Sequence, residues 1–376
     1  MSVSKQFQVS TPSRICLFGE HQDYLGLEVI ASAINLRFSA KVTPREDDLL
    51  QIDIRDESID QLGQKNVEGK YQRYVIDLSK PLVYENSRDY FKSIVNVLRR
   101  EGFQLKGANV IMDSEIPIGK GMCSSTTMCL ALTKALAYYA DPEKSADPSY
   151  MALLAWKAEV EEFNEPGGMM DHYTSALGGL VHLNFSDPKN TTVERLNVQL
   201  GGCFILFDSK QQKDTIKVLG NSKYPTQEAI QQLNGDGITS IRDFYNHPEL
   251  VASISKLDDF HRRKVEANIN NYRIQREALA MFQSGKVDDQ KIGQLLNEHQ
   301  ANLRDGLGIS TPIIDHILEL AMEKGAYGGK FNGSGGGGCL YVYAARDKAD
   351  AIMEAARKEG YPCMMLTQDV GLKVEE

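Results

Sequence analysis

Nothing in the 376-residue sequence approaches the ~20 consecutive apolar residues that a membrane span requires. The opening segment, MSVSKQFQVS, lacks the apolar stretch of a secretory signal. Positive charge is also short. Lys and Arg number 42 against 51 Asp and Glu, and the net charge of −9 argues against nonspecific nucleic-acid binding. Phosphate binding stays open, because backbone N–H groups hold anions without net basicity. The six cysteines (Cys16, Cys123, Cys129, Cys203, Cys339, Cys363) form no CxxC pair, so neither a disulfide framework nor a zinc site is indicated. Reduced thiols in a cytoplasmic protein are the expectation. Repeats, low-complexity tracts and long charge runs are missing too.

What is present is an ordinary globular balance, 42% apolar and 25% charged. The length exceeds the usual size of one hydrophobic core, so two domains are expected. The polar, turn-rich residues 186–190 suggest a division into 1–190 and 191–376. Residues 29–38, 108–112, 180–185, 203–207 and 339–344 alternate as half-buried strands do. Helical spacing runs through Met128, Leu132, Ala135 and Leu136, and again through Met151, Leu154, Ala155 and Ala158. A longer helix is expected over 256–283, with Val265, Ile269, Tyr272 and Leu279 as its buried stripe. Strands and helices mix without a regular βαβ rhythm, which favours an α+β fold.

Three places carry candidate chemistry. The segment PIGKGMCSSTT (117–127) follows a strand and opens a helix, where free N–H groups and the macrodipole favour a phosphate. Gly119 and Gly121 would let the backbone approach the anion, and the Ser125 hydroxyl is a candidate magnesium ligand. The Walker pattern is not matched. A Ser/Thr-capped helix after an ordinary turn has the same look.

The second place, GSGGGG (333–338), holds five glycines in six positions. A flexible linker has this composition, but it leads straight into the apolar CLYVY. A chain folded closely against a ligand or another backbone fits better. The third place pairs two carboxylate-bearing segments. Arg14 precedes GEHQDY (19–24), a polar cluster after an apolar run that suits sugar hydroxyls or, equally, a solvated capping loop. Glu159 lies on a helix ending at EPGG, and Asp171 follows at the start of the next helix. There it also reads simply as an acid suited to the helix dipole.

Taken in order, GEHQDY at Gly19, IPIGKGMCSST at Ile116 and KFNGSGGGGC at Lys330 resemble the three signature segments of the GHMP kinases. The first narrows the likeness to the galactokinase branch. AEVEEFNEPGGMMDHYTSALGG from Ala158 and LNEHQANLRDGLGISTPIID from Leu296 are similar to galactokinase stretches, so the resemblance spans nearly the whole chain.

The resemblance implies a two-domain fold. A mixed α/β N-terminal domain would carry a left-handed crossover-type nucleotide site, and a ferredoxin-like α/β domain would follow. It implies ATP and Mg²⁺ as cofactors and a small-molecule sugar as partner, with galactose to galactose 1-phosphate the leading reaction. Asp171 would be the base for the anomeric hydroxyl, and Arg14 would stand near the reacting oxygens. Glu20, His21, Asp23 and Gly168 would hold the sugar, with Tyr224 a further contact. Gly119, Gly121, Ser124, Ser125 and Thr126 would bind ATP. Ser125 and Glu159 would serve the metal, and Gly333, Gly335 and Gly336 would back the site.

The sequence departs from the family at Gln22, at Leu25-Gly26-Leu27, at Ala31-Ser32, at Cys123 and at Thr126-Thr127. Several of these positions adjoin the sugar loop. Another hexose, an amino sugar, a uronic acid, a pentose or a non-sugar alcohol are therefore alternatives, as is a silent sugar sensor. No oligomeric state is assigned.

Overall fold

The computed structural model describes residues 5–55, 71–117, 119–187 and 190–376. Ile118 of the first glycine-rich segment, Pro188 and Lys189 of the expected boundary, and the first four residues of the opening segment lie outside them.

Strand β1 (Phe7–Phe18) is buried along almost all its length, with helices Ser124–Ala140 and Met170–Leu177 packed against it. Its main partner is β2 (Glu28–Pro44), which continues well past the expected 29–38. The far edge of β2 is shared: residues 38–44 pair with β5 (Ala108–Ser114) and residues 28–32 with β6 (Leu180–Asn184). Beyond β5 come β3 (Leu49–Arg55) and β4 (Tyr71–Asp77). The β3–β5 pair is parallel, alone among the described strands, and its connection runs through β4 and the helix Tyr90–Arg100.

The first sheet also takes strands from beyond residue 190. Thr192–Arg195 (β7) pairs with β6, and Lys373–Glu375 (β12) pairs with β1. The expected dividing stretch thus runs, in sequence, between two paired strands. We propose the division in amended form, with 5–195 and 367–375 as one domain and 203–366 as the other.

The second sheet holds β8 (Cys203–Asp208), β9 (Ala326–Phe331), β10 (Cys339–Ala344) and β11 (Cys363–Leu366), antiparallel in the order β11-β8-β10-β9. Helices separate β8 from β9, and Ala349–Lys358 separates β10 from β11, which gives the βαββαβ order of a ferredoxin-like unit. Every residue of β10 is buried. Cys339, Tyr341 and Tyr343 face a core shared with the first sheet, while Leu340, Val342 and Ala344 face a second core under helices Pro312–Glu323 and Ala349–Lys358. Two covered faces explain why this strand reads as an unbroken apolar run.

Helices Asp259–Gln283 and Asp289–Ala301 wedge between the sheets, placing Leu279, Phe282 and Leu296 in the same core as Phe18 and Tyr341. The first of them starts at Asp259 because the Asp258 side chain accepts from the His261 N–H, a good N-cap. All six cysteines are unpaired. Among the described residues no helix is long and apolar enough to cross a membrane.

Candidate active site

Helix Ser124–Ala140 is apolar on nearly every face and sits buried against β1 and β2. Its N-terminus is the opposite. Cys123, the cap residue, holds a left-handed conformation (φ 48°) and makes no side-chain capping bond. The first-turn N–H groups that Ser or Thr would satisfy are thus left without a side-chain cap. That end of the helix suits an anion.

The loop before it is locked from the opposite side of the molecule. Asn332, fully buried, donates to the carbonyls of Arg14 and Gly121 and accepts from the Cys16 N–H at 3.1 Å. The Cys339 N–H donates to the Lys120 carbonyl at 2.7 Å. A side chain at Gly121 would meet the Asn332 carbonyl at 2.5 Å, one at Gly333 would meet the Gly121 carbonyl at 2.7 Å, and one at Gly338 would collide with Lys120. The late glycine loop is therefore backbone packed on backbone. Gly333 and Ser334 border the cavity described next, whereas Gly335 lies against Ile309 and Phe331 and Gly336 against Val218.

A cavity of ≈ 170 Å³ opens beside this loop. Arg14 and Asp171 meet at its floor, with Nε to Oδ1 at 2.7 Å. Arg14 is 3% exposed and also donates to the Gly121 carbonyl. Burial works against the guanidinium charge, but Asp171, Cys123 and Glu20 outweigh it and hold the Arg14 pKa above its ordinary value. The Asp171 side chain keeps about a quarter of its surface open (26%), so its second oxygen is not sealed off.

The GEHQDY turn supplies the next wall. Glu20 is buried against Lys330, at 2.6 Å, and both are closed to solvent (2% and 0% exposed). His21, at φ 65°, contacts the Ser334 carbonyl through Nε2 at 3.0 Å and the Tyr24 hydroxyl through Nδ1 at 2.7 Å. Burial holds the imidazole down to about 3, although the Ser334 carbonyl opposes this. The ring is therefore neutral, Nε2 carries the proton, and Nδ1 accepts from Tyr24. Asp23 accepts from the Met170 N–H at 3.2 Å. Burial and the charge of Asp171 push its carboxyl up to about 6 against that bond. Gly168 lies flat on the Asp23 carboxylate, where a Cβ has no room.

Glu159 comes from a π-helical turn, Lys157–Glu161, an irregularity that often marks a functional position. His172 Nε2 lies 2.8 Å from its carboxylate, and the hydroxyls of Ser125 and Thr126 are near enough to favour its charge. Burial opposes the charge of Glu159, but these partners hold its carboxyl below the usual value. Ser125 and Glu159 thus offer hard oxygen donors side by side at the helix start. Among the described residues there is no cluster of three or more His, Cys, Asp or Glu able to hold a metal alone. A divalent cation here would need phosphate oxygens and water to complete its shell, which is how magnesium is commonly held.

A larger cleft, ≈ 1090 Å³, adjoins the first and shares Gly119 and Arg88 with it. The loop 119–121 is the rim between the two.

Of the residues singled out from sequence, Arg14, Glu20, His21, Asp23, Gly168 and Asp171 line the smaller cavity, as do Gly119, Gly121, Ser124, Ser125, Thr126 and Glu159. Gly333 joins them; Gly335 and Gly336 do not. Tyr224 also stands elsewhere. It lies on helix Thr215–Gln232, 48% exposed. The tyrosine in the cavity is Tyr24, and Thr215, Ile216 and Leu219 are what that helix contributes. Sequence reasoning passed over Lys330 and Asn332 as site residues, although both stand in the KFNGSGGGGC segment. Gln22, the departure in the sugar loop, points away, donating to the Asn268 carbonyl at 2.9 Å. Leu27 likewise packs under Leu233 and Phe244.

Residues 89–179 match the GHMP kinases N terminal domain and 285–362 the GHMP kinases C terminal domain. The chain belongs to the GHMP kinases. Within that family it carries, over residues 2–44, the galactokinase galactose-binding signature. It is 26% identical to a galactokinase of Glaesserella parasuis over 362 residues, covering 93% of this chain and 88% of that one. It is also 25% identical to a mevalonate kinase of Thermococcus sibiricus over 367 residues, covering 98% of each. Among solved structures, Lactococcus lactis galactokinase complexed with galactose superposes with a TM-score of 0.79 at 20% identity, over 98% of this chain and 94% of that one. Methanococcus jannaschii mevalonate kinase gives 0.69 at 18%, over 96% and 98%. These two structural likenesses bear on the fold.

Proposed function

We propose that the protein is an ATP-dependent kinase that phosphorylates the anomeric hydroxyl of a monosaccharide, galactose foremost. The observation that carries this reading is the Arg14–Asp171 pair at 2.7 Å, in a small cavity bordered by several charged side chains that meets a larger cleft at a glycine-rich helix start. GHMP kinases use ATP, and the galactokinase signature over 2–44 supports a sugar in the smaller cavity.

The chemistry needs positioning and charge neutralisation more than covalent help. The sugar hydroxyl oxygen bonds to the γ-phosphorus as the bond from that phosphorus to the β,γ-bridging oxygen breaks. ADP leaves with the bridging electron pair, and the hydroxyl proton passes to Asp171 Oδ. An anomeric hydroxyl is more acidic than an ordinary alcohol, which suits a carboxylate base. Arg14 offsets charge on the transferring group and holds Asp171 in place. Neutral His21 and the carboxylates of Glu20 and Asp23 suit sugar hydroxyls. Ser125 and Glu159 would hold Mg²⁺, which, when bound, neutralises and orients the phosphates. Free thiols agree with a cytoplasmic setting.

Replacing Gly168 with Ala is expected to push Asp23 aside, because the new methyl has no space beside its carboxylate. A bond to a charged group is worth ~1.5–3 kcal/mol, so the KM for sugar should rise about 10–100-fold. The KM for ATP should hold. An unchanged sugar KM would remove Asp23 from the binding set.

A second reading keeps the kinase and changes the acceptor to a non-sugar alcohol. It is favoured by the mevalonate kinase likeness over 98% of both chains. ATP consumption across galactose, its epimers, amino sugars, uronic acids, pentoses and mevalonate decides between them. Galactose should give the highest kcat/KM. A better result for mevalonate would overturn the sugar reading, and no turnover at all would overturn the kinase.

A further inference from the structure

Lys213 lies on the short segment linking β8 to helix Thr215–Gln232. Its Nζ is shut off from solvent and has no hydrogen-bond or ion-pair partner, although an ammonium brings three donors. Leaving a buried charge unpaired is costly, so the position asks for an anion. The surroundings say where that anion lies. A side chain on Gly121 would meet Lys213 Nζ at 2.5 Å, which sets the ammonium directly beside the phosphate loop. Lys213 lines the larger cleft together with Gly119 and Lys120. Of the groups whose fields reach it, Glu20, then Cys339, Arg14 and Asp171, three line the smaller cavity. It therefore stands where the two spaces join.

The neighbouring lysines are already engaged. Lys120 pairs with Asp208 at 3.2 Å and Lys330 with Glu20 at 2.6 Å. Burial holds Lys213 down to about 8, against the pull of Glu20, and an anion set against it would restore the full charge.

We propose that Lys213 is a catalytic residue that binds the γ-phosphoryl group of ATP as it passes from the larger cleft to the acceptor hydroxyl. The inference rests on the phosphotransfer reading above. Bond making and breaking are those already given, and Lys213 keeps its proton throughout, supplying charge alone. A compact ammonium on a flexible stem can follow the phosphorus as it moves. Arg14 meets the group from the first sheet and Lys213 from the second, one on each side of Gly121.

The test compares ADP with the β,γ-imido analogue of ATP by calorimetry, on wild type, Lys213→Met and Lys213→Arg, alongside steady-state kinetics. The Met variant should bind the analogue about 10–100-fold more weakly while ADP affinity holds. Its kcat should fall about 10²–10³-fold, with the Arg variant retaining more activity than Met. An ADP-induced rise in Tm reports that each variant is folded. If Lys213→Met does not fold, Lys213→Gln, with a polar end in the same space, carries the comparison. Wild-type discrimination between the two nucleotides in the lysine-free variant would overturn the assignment. A wild-type protein that binds both nucleotides yet phosphorylates no acceptor would sink the kinase reading instead, and the nucleotide comparison would still judge Lys213.

Discussion

Replacing Asp171 with Asn should lower turnover about 10²–10⁴-fold, the usual contribution of a positioned general base, while ADP binding and the KM for sugar change little. The amide keeps an acceptor for Arg14 Nε, so the 2.7 Å contact on the cavity floor survives the substitution. What disappears is the ability to take a proton from the hydroxyl. A loss confined to kcat is what removal of an interaction made only in the transition state produces. Near wild-type turnover in the Asn variant would strip Asp171 of its role. A rise in KM with kcat intact would make it a binding residue instead.

The largest expected effect on stability comes from another wall of the same cavity. Lys330→Met should destabilise the protein by ~3–5 kcal/mol, because it leaves Glu20 as an uncompensated buried charge. Glu20 is 2% exposed, with Lys330 its partner at 2.6 Å. Lys330 also donates to the Phe331 carbonyl at 2.8 Å, so a second acceptor is left empty. The double variant Glu20→Gln, Lys330→Met should recover much of the loss, since the stranded charge is gone. Urea denaturation followed by tryptophan fluorescence measures both. A single variant within ~1 kcal/mol of wild type would mean that Glu20 finds water or another donor.

How far the sequence revealed this arrangement depended on how local each signal was. The short apolar runs 339–344 and 203–207 marked β10 and β8 as strands, but the half-burial expected of them gave way to strands covered on both faces. The stripe in 256–283 marked the long helix, and only its start moved, to the residue after the Asp258 cap. The glycine loop was legible as a close approach of chains, since a linker has no reason to run straight into a buried strand. That the approach is to Lys120 and Gly121, about two hundred residues earlier, was not legible. Tyr224 illustrates the limit. Matching it to a sugar-contacting tyrosine required an insertion that spacing alone could not position; it lies on an exposed helix face, and the aromatic hydroxyl in the cavity comes from Tyr24 of the GEHQDY turn. Lys213 left no sequence signal, because a lone lysine in a polar connection looks like any solvated residue. Composition alone also leaves the division near 190 open, since turn-forming residues mark a link inside a paired strand set as readily as the end of a domain.

The pairing of β12 with β1 bears on how the chain is made. Residues 373–375 close the outer edge of the first strand, and Arg37, ion-paired to Asp369 at 2.7 Å and bonded to the Gly371 carbonyl, fastens the tail across β2. During synthesis β1 leaves the ribosome well before the segment that covers its edge, which follows more than 350 residues later. Until then the edge of β1 at Gln8–Ser10 stays open to any other extended chain. Completion of the first sheet thereby waits on residues more than 350 positions beyond its first strand.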